Sequence, residues 1–120
     1  MSVISRMWRK IFPQKQENIE RFKADVDITY RSGWTPRTKI FIIGKECCAL
    51  SAAAIANDCY FDLVNFAKKE YGISNNFIIG FVMGFDGTTR GLEDYESDKE
   101  VMAGYNLGVE LHKKYFKGTK

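Results

Sequence analysis

Residues 36–71 constrain the fold most tightly. Ile40, Ile43, Cys47, Leu50, Ala54, Asn57, Phe61, Val64, Lys68 and Tyr71 recur in alternating steps of three and four, the period of one helix face. Phe41, Ile42, Cys48, Ala49, Ile55 and Phe66 fall on the other faces. A segment apolar nearly all round belongs in the middle of a domain. Thr35-Pro36 supplies a start signal, since Thr35 can cap free N–H groups and proline suits the first helical position. Asn57-Asp58 marks a break, with Asp58 capping a second helix that ends at Gly72-Ile73. The rival is a strand at Lys39–Ile43, given its β-branched content.

The flanking segments read as helices too. Met1–Phe12 carries Val3, Ile4, Met7, Trp8 and Ile11 at helical spacing and stops before Pro13, because a proline disfavours helix at the residue preceding it. Ile19, Phe22, Val26 and Tyr30 share one face of a second helix, closed by Gly33 as a left-handed cap and by Trp34 packing back. Ser74 can cap residues 75–85, whose run FIIGFVMGF also suits a buried strand. Ser97 with Glu100 forms a capping box that opens a last helix to about Lys117. In it Val101, Tyr105, Val109, His112 and Phe116 share a face, and Lys113, Lys114 and Lys117 suit the negative end of its dipole.

A chain of 120 residues, 45% apolar and 28% charged, is a globular protein of one domain. The expected fold is therefore all-α: a single domain over 1–120 of about five or six helices, with 1–12 a separable amphipathic helix. The alternative is α+β, with short strands near 39–43 and 77–85. Gly80 and Gly84 lie four apart, as do Gly104 and Gly108, while Ala49, Ala52, Ala53 and Ala56 line a third surface. A glycine inside a helix costs roughly 1 kcal/mol against alanine, so four of them imply helix backbones in close contact.

Signatures of chemistry are sparse. FVMGFDGTT resembles the haloacid dehalogenase-type phosphatase signature, but only Asp86-Gly87-Thr88 match. Gly84 stands where that family's nucleophilic aspartate belongs, so no aspartyl-phosphate can form. As an EF-hand the same loop puts Arg90 in a ligand position and Ser97 where the bidentate glutamate belongs. As a P-loop it lacks the Gly-Lys-Ser/Thr that should follow. It reads as a polar connection.

His112 is the single histidine, and Cys47, Cys48 and Cys59 show no C-x-x-C spacing. No metal site and no cofactor are expected. Cys59 or Cys48 with His112 and an acid such as Asp58 or Asp62 is the one nucleophile arrangement available. Cysteine behaves more often as a small buried hydrophobe. Asp58 and Asp62, one turn apart, are either an acid–base pair or a solvated stripe continued by Asn65 and Lys69.

The odd cysteine count fits reduced thiols in the cytoplasm. Arg6, Arg9 and Lys10 interrupt the N-terminal apolar residues, unlike a signal peptide. Lys45 and Glu46 break the best candidate for a span of roughly 18 apolar residues.

The net charge of +3 falls short of a dedicated nucleic-acid binder, and binding through the basic ends would be weak and salt-sensitive. Glu93, Asp94, Glu96 and Asp98 form an acidic segment that a basic protein partner could use. Ile4, Met7, Trp8 and Ile11, bordered by Arg6, Arg9 and Lys10, form a basic amphipathic stripe. That stripe would cover the core, a partner or second copy, or an anionic membrane surface. The leading expectation is a non-catalytic, cytoplasmic protein–protein interaction protein: a small inhibitor, immunity-type or adaptor protein. The alternatives are a peripheral membrane protein anchored by 1–12 and a small thiol hydrolase using Cys59 and His112.

Overall fold

The computed structural model describes residues 15–39, 41–88 and 91–116. The proposed helix at 1–12 lies outside them. Helix α1 (Lys15–Arg31) buries Phe22, Val26 and Thr29, with Ile19 and Tyr30 half-buried beside them, close to the face read from spacing. Gly33 follows at φ +113, and Trp34 packs partly against the core.

The next stretch is not a helix. Thr35–Pro36 (β1), Ile42–Ile43 (β2) and Glu46–Cys47 (β3) form a three-stranded sheet in the order β1-β3-β2. β1 runs parallel to β3 and β2 antiparallel to it. Pro36, lacking a donor, sits on the edge strand β1, a place proline tolerates. Gly44, at φ +58, opens the short turn that pairs Ile43 with Glu46, where a positive φ suits the strand twist. The apolar period of three and four continued through Gly44, but tertiary pairing overrode it. The strand rival at 39–43 is realised at Ile42–Ile43; residues 77–85 are helical.

Helix α2 (Ala49–Ile55) is buried along its whole length, as its composition requires. Its small side chains let α1 approach closely enough for Thr29 Oγ1 to donate to Ala52 O at 2.6 Å. After a break, α3 (Leu63–Tyr71) ends at Gly72, which is left-handed at φ +66. Ser74 caps α4 (Asn75–Asp86), its Oγ accepting from Phe77 N at 3.1 Å. A short 3₁₀ turn (Leu92–Tyr95) precedes α5 (Lys99–Tyr115). Asp98, not Ser97, caps α5, accepting from Glu100 N and Val101 N at 2.9 and 3.1 Å. The chain is thus mostly helical, with the small sheet as an addition.

The glycine pairs organise α4 and α5. A Cβ on Gly80 would lie 1.8 Å from Val101 O, and one on Gly84 2.2 Å from Tyr105 O. Reciprocally, Gly104 would meet Phe77 O at 1.9 Å and Gly108 would meet Phe81 O at 2.3 Å. The contacts advance together along both helices, so the two run parallel. The end of α4 and the start of α5 therefore lie at opposite ends of the pair, about 18 Å apart for a helix of this length. Asn76 Nδ2 donates to Asp98 Oδ2 at 2.8 Å and ties the two N-terminal ends together.

The buried stripe of α5 is Val101, Gly104, Leu107, Gly108 and Leu111. Of the expected face only Val101 is buried; Tyr105, Val109, His112 and Phe116 are half-buried. The glycines set the contact line and turn the helix toward themselves. The Phe22 ring joins the halves of the core, meeting Tyr71 and Phe81 edge-on at 5.2 Å each.

Candidate functional site

The site grows out of the break between α2 and α3. Ala54 O accepts from both Asn57 N and Cys59 N at 2.9 Å, and Ile55 O accepts from Asp58 N at 2.9 Å. That tight turn holds Asp58 at φ +59, and Asp62 follows at φ +54. Left-handed backbone outside glycine is least costly for Asp and Asn. Neither aspartate sits where it was expected: Asp58 caps no helix, and Asp62 occupies the N-cap position of α3 without a side-chain cap bond. Asn65 Nδ2 instead donates to both Asp62 carboxylate oxygens, at 3.0 and 3.2 Å. Cys59 Sγ donates to Phe61 O at 3.1 Å.

A partly buried network anchors this loop. Asn57 Nδ2 donates to Ala53 O at 2.9 Å, with Asp25 Oδ2 at 3.2 Å and Tyr71 Oη at 3.3 Å. Tyr71 Oη donates to Asp25 Oδ2 at 2.5 Å. Burial, and then the bond to Asp25, push the Tyr71 hydroxyl above its ordinary range, so it stays a donor. The Arg21 guanidinium lies over the Tyr71 ring at 4.9 Å. Arg21 also binds Glu70 through its side chain at 2.9 Å and through its backbone carbonyl.

The loop presents two aromatic rings outward. Phe61 is 80% exposed and Tyr60 54%, with exposed Asp58 and Asp62 on either side. Spacing had put Phe61 on a buried helix face; the break at Ala56–Asp62 removes it from that face. The break expected at Asn57-Asp58 is present; what that reading missed is its extent, since two aromatics and a second aspartate continue the turn to Asp62.

The other candidates are dispersed. Glu93, Asp94 and Glu96 are exposed on the connection between α4 and α5, whereas Asp98 is engaged by α5 and Asn76. Ile4, Arg6, Met7, Trp8, Arg9, Lys10 and Ile11 lie outside the described residues. His112 Nδ1 pairs with Phe85 O at 2.7 Å, and its ring lies 4.8 Å from that of Phe116. Cys59 Sγ and His112 are thus each bonded to a backbone carbonyl rather than to each other.

Cys47 and Cys48 are buried free thiols. Burial, then the neighbouring Cys48, pushes Cys47 up to about 12, and burial also raises Cys48. Such thiols are poor nucleophiles. Among the described residues, no group of three or more His, Cys, Asp or Glu could hold a metal ion. No helix among them is long and apolar enough to cross a membrane.

Two clefts open among the described residues. One of about 120 Å³ lies between Phe41, Cys48, Leu50, Phe81 and Phe85, beside Lys39 N, which donates to Asp86 Oδ1 at 2.9 Å. The other, of about 280 Å³, lies between Ile19, Tyr71, Ile73, Phe77 and Ala103. Both are lined mainly by apolar side chains. No family model, curated protein or solved structure matches the chain.

Proposed function

We propose that the protein is a non-catalytic protein–protein interaction protein, of the inhibitor, immunity-type or adaptor kind, and that the Asp58–Asp62 loop is its contact. The observation that carries this is the 80% exposure of Phe61 on a loop fixed at its start by backbone bonds from Asn57, Asp58 and Cys59 N and at its end by the Asp62 carbonyl, which accepts from Phe66 N. A large apolar ring held in water is unfavourable unless something covers it, and aromatic anchors dominate interface energetics. Preorganisation adds to the case, because a loop already ordered loses little entropy on binding. The free, buried Cys47 and Cys48 suit a reducing compartment such as the cytoplasm.

The test is affinity capture from the native host with the full chain as bait, followed by mass spectrometry. Wild type should retain a partner that Phe61→Ser releases, while both baits melt at the same temperature. A partner held equally by both baits would place the contact elsewhere.

A further inference from the structure

We infer that the Asp58–Asp62 loop receives an arginine side chain from a basic segment of the partner, an inference that rests on the interaction reading above. The loop brings together the two groups that a guanidinium satisfies at once. Tyr60 and Phe61 offer exposed ring faces, and Asp58 and Asp62 flank them with exposed carboxylates. Asp62 accepts the Asn65 amide and keeps further lone pairs, because a carboxylate has about four acceptor sites. A planar guanidinium can stack on a ring and bond a carboxylate through its fork, whereas the lysine ammonium is a hydrated point charge without that shape.

The surrounding charge has the matching sign. No lysine or arginine occurs between Glu46 and Lys68, and Asp25 of α1 lies directly beneath Asn57. The nearest basic group of α1 in the anchoring network, Arg21, is already paired with Glu70. A chain of net charge +3 thus carries a locally negative aromatic surface. The ring pair favours this loop over the acidic segment at 93–96, which has one half-exposed ring, Tyr95.

The test is an amide chemical-shift titration of the ¹⁵N-labelled full chain with tetra-arginine, tetra-lysine and tetra-glutamate amides at one ionic strength. Tetra-arginine should shift the amides of residues 57–65 and bind about three- to five-fold more tightly than tetra-lysine, the scale of a surface cation–π contact. Tetra-glutamate should cause no shift there. Phe61→Ala should bring tetra-arginine down to the tetra-lysine level. The double variant Asp58→Asn, Asp62→Asn, which still tolerates left-handed backbone, should weaken both cationic peptides.

Equal binding of arginine and lysine peptides, or shifts centred on 93–96, would overturn the inference. If tetra-arginine leaves the loop unshifted while Phe61→Ser still releases the native partner, only the arginine assignment fails. If Phe61→Ser keeps the partner, the interaction reading fails with it.

Discussion

Gly104→Ala puts the α4–α5 contact to its hardest test. Taken alone, the change should stabilise a helix by about 1 kcal/mol, since alanine is the better helix former. The geometry opposes that gain. The new Cβ would sit 1.9 Å from Phe77 O, 2.8 Å from Phe77 C and 2.9 Å from Phe81 N. All three are backbone atoms, so no side-chain rotation relieves the clash. Ordinary contact begins near 3.4 Å, and the helices must separate locally by about 1.5 Å, which forfeits much of the dispersion energy at their contact. Overpacking of this kind costs about 1–3 kcal/mol or more, and the fixed backbone favours the upper end. The net expectation is a loss of about 2 kcal/mol, measured as a lower urea midpoint at unchanged m-value. Ala103→Gly, on the exposed side of the same helix, is the control: it should lose about 1 kcal/mol from propensity alone. A Gly104→Ala midpoint equal to or above wild type would refute the close crossing.

Removing the Tyr71 hydroxyl as phenylalanine leaves Asp25 and Asn57 short of a partner, so stability should fall by about 1–2 kcal/mol and hydrogen exchange at Cys59 N should quicken; an unchanged denaturation midpoint would count against the anchor. Cys59, half-exposed, should react with a bulky thiol reagent well before Cys47 and Cys48, as peptide mapping of the labelled native protein would report. The Cys47 thiol is raised to about 12 from an ordinary value near 9. Its contribution to stability should therefore be complete below pH 9 and lost as pH rises from 9 toward 12, and Cys47→Ala should flatten that decline in chemical denaturation.

Features governed by neighbouring residues were legible in the sequence. Gly72 and Ser74 mark a helix end and a helix start through backbone geometry that depends only on a few adjacent positions. The glycine pairs announced close helix contact because their propensity cost needed compensation. Between Thr35 and Asp62 the buried helix at 49–55, the break at Asn57-Asp58 and the rival strand at 42–43 were legible; the full sheet and the length of the loop were not, because a β-hairpin followed by a short buried helix happened to keep the helical period. Gly44, passed over in that period, was the residue at odds with it. Phe61 was misplaced for the same reason. Its exposure is decided by hydrogen bonds from Asn57 to Asp25 and Tyr71, contacts that no local pattern contains. The parallel arrangement of α4 and α5 was equally hidden, since a connection at 87–98 looks like any polar loop until its ends are placed.

These contacts divide the molecule into two reinforced regions, and the division has a measurable consequence. Asn57, Asp25, Tyr71, Arg21 and Glu70 lock α1, the α2–α3 loop and α3 together on one side. On the other, α4 and α5 are held by backbone contacts at four glycines. Between them the Phe22 ring is seated against Tyr71 and Phe81, and the far end of α5 meets α1 through Tyr115, whose ring lies 4.7 Å from that of Tyr30 and whose hydroxyl donates to Asp27. A strain introduced at Gly104 should therefore stay in α4 and α5 while the protein is folded, because displacing Phe81 alters only one of the two edge contacts that Phe22 makes. Amide shifts in Gly104→Ala should change widely across 76–85 and 99–111 and little across 57–65, and the variant should capture the Phe61-dependent partner as well as wild type does below its melting range. Large shifts at Cys59 and Phe61 in that variant would mean that the loop draws its order from the glycine crossing rather than from the Asp25–Asn57–Tyr71 network.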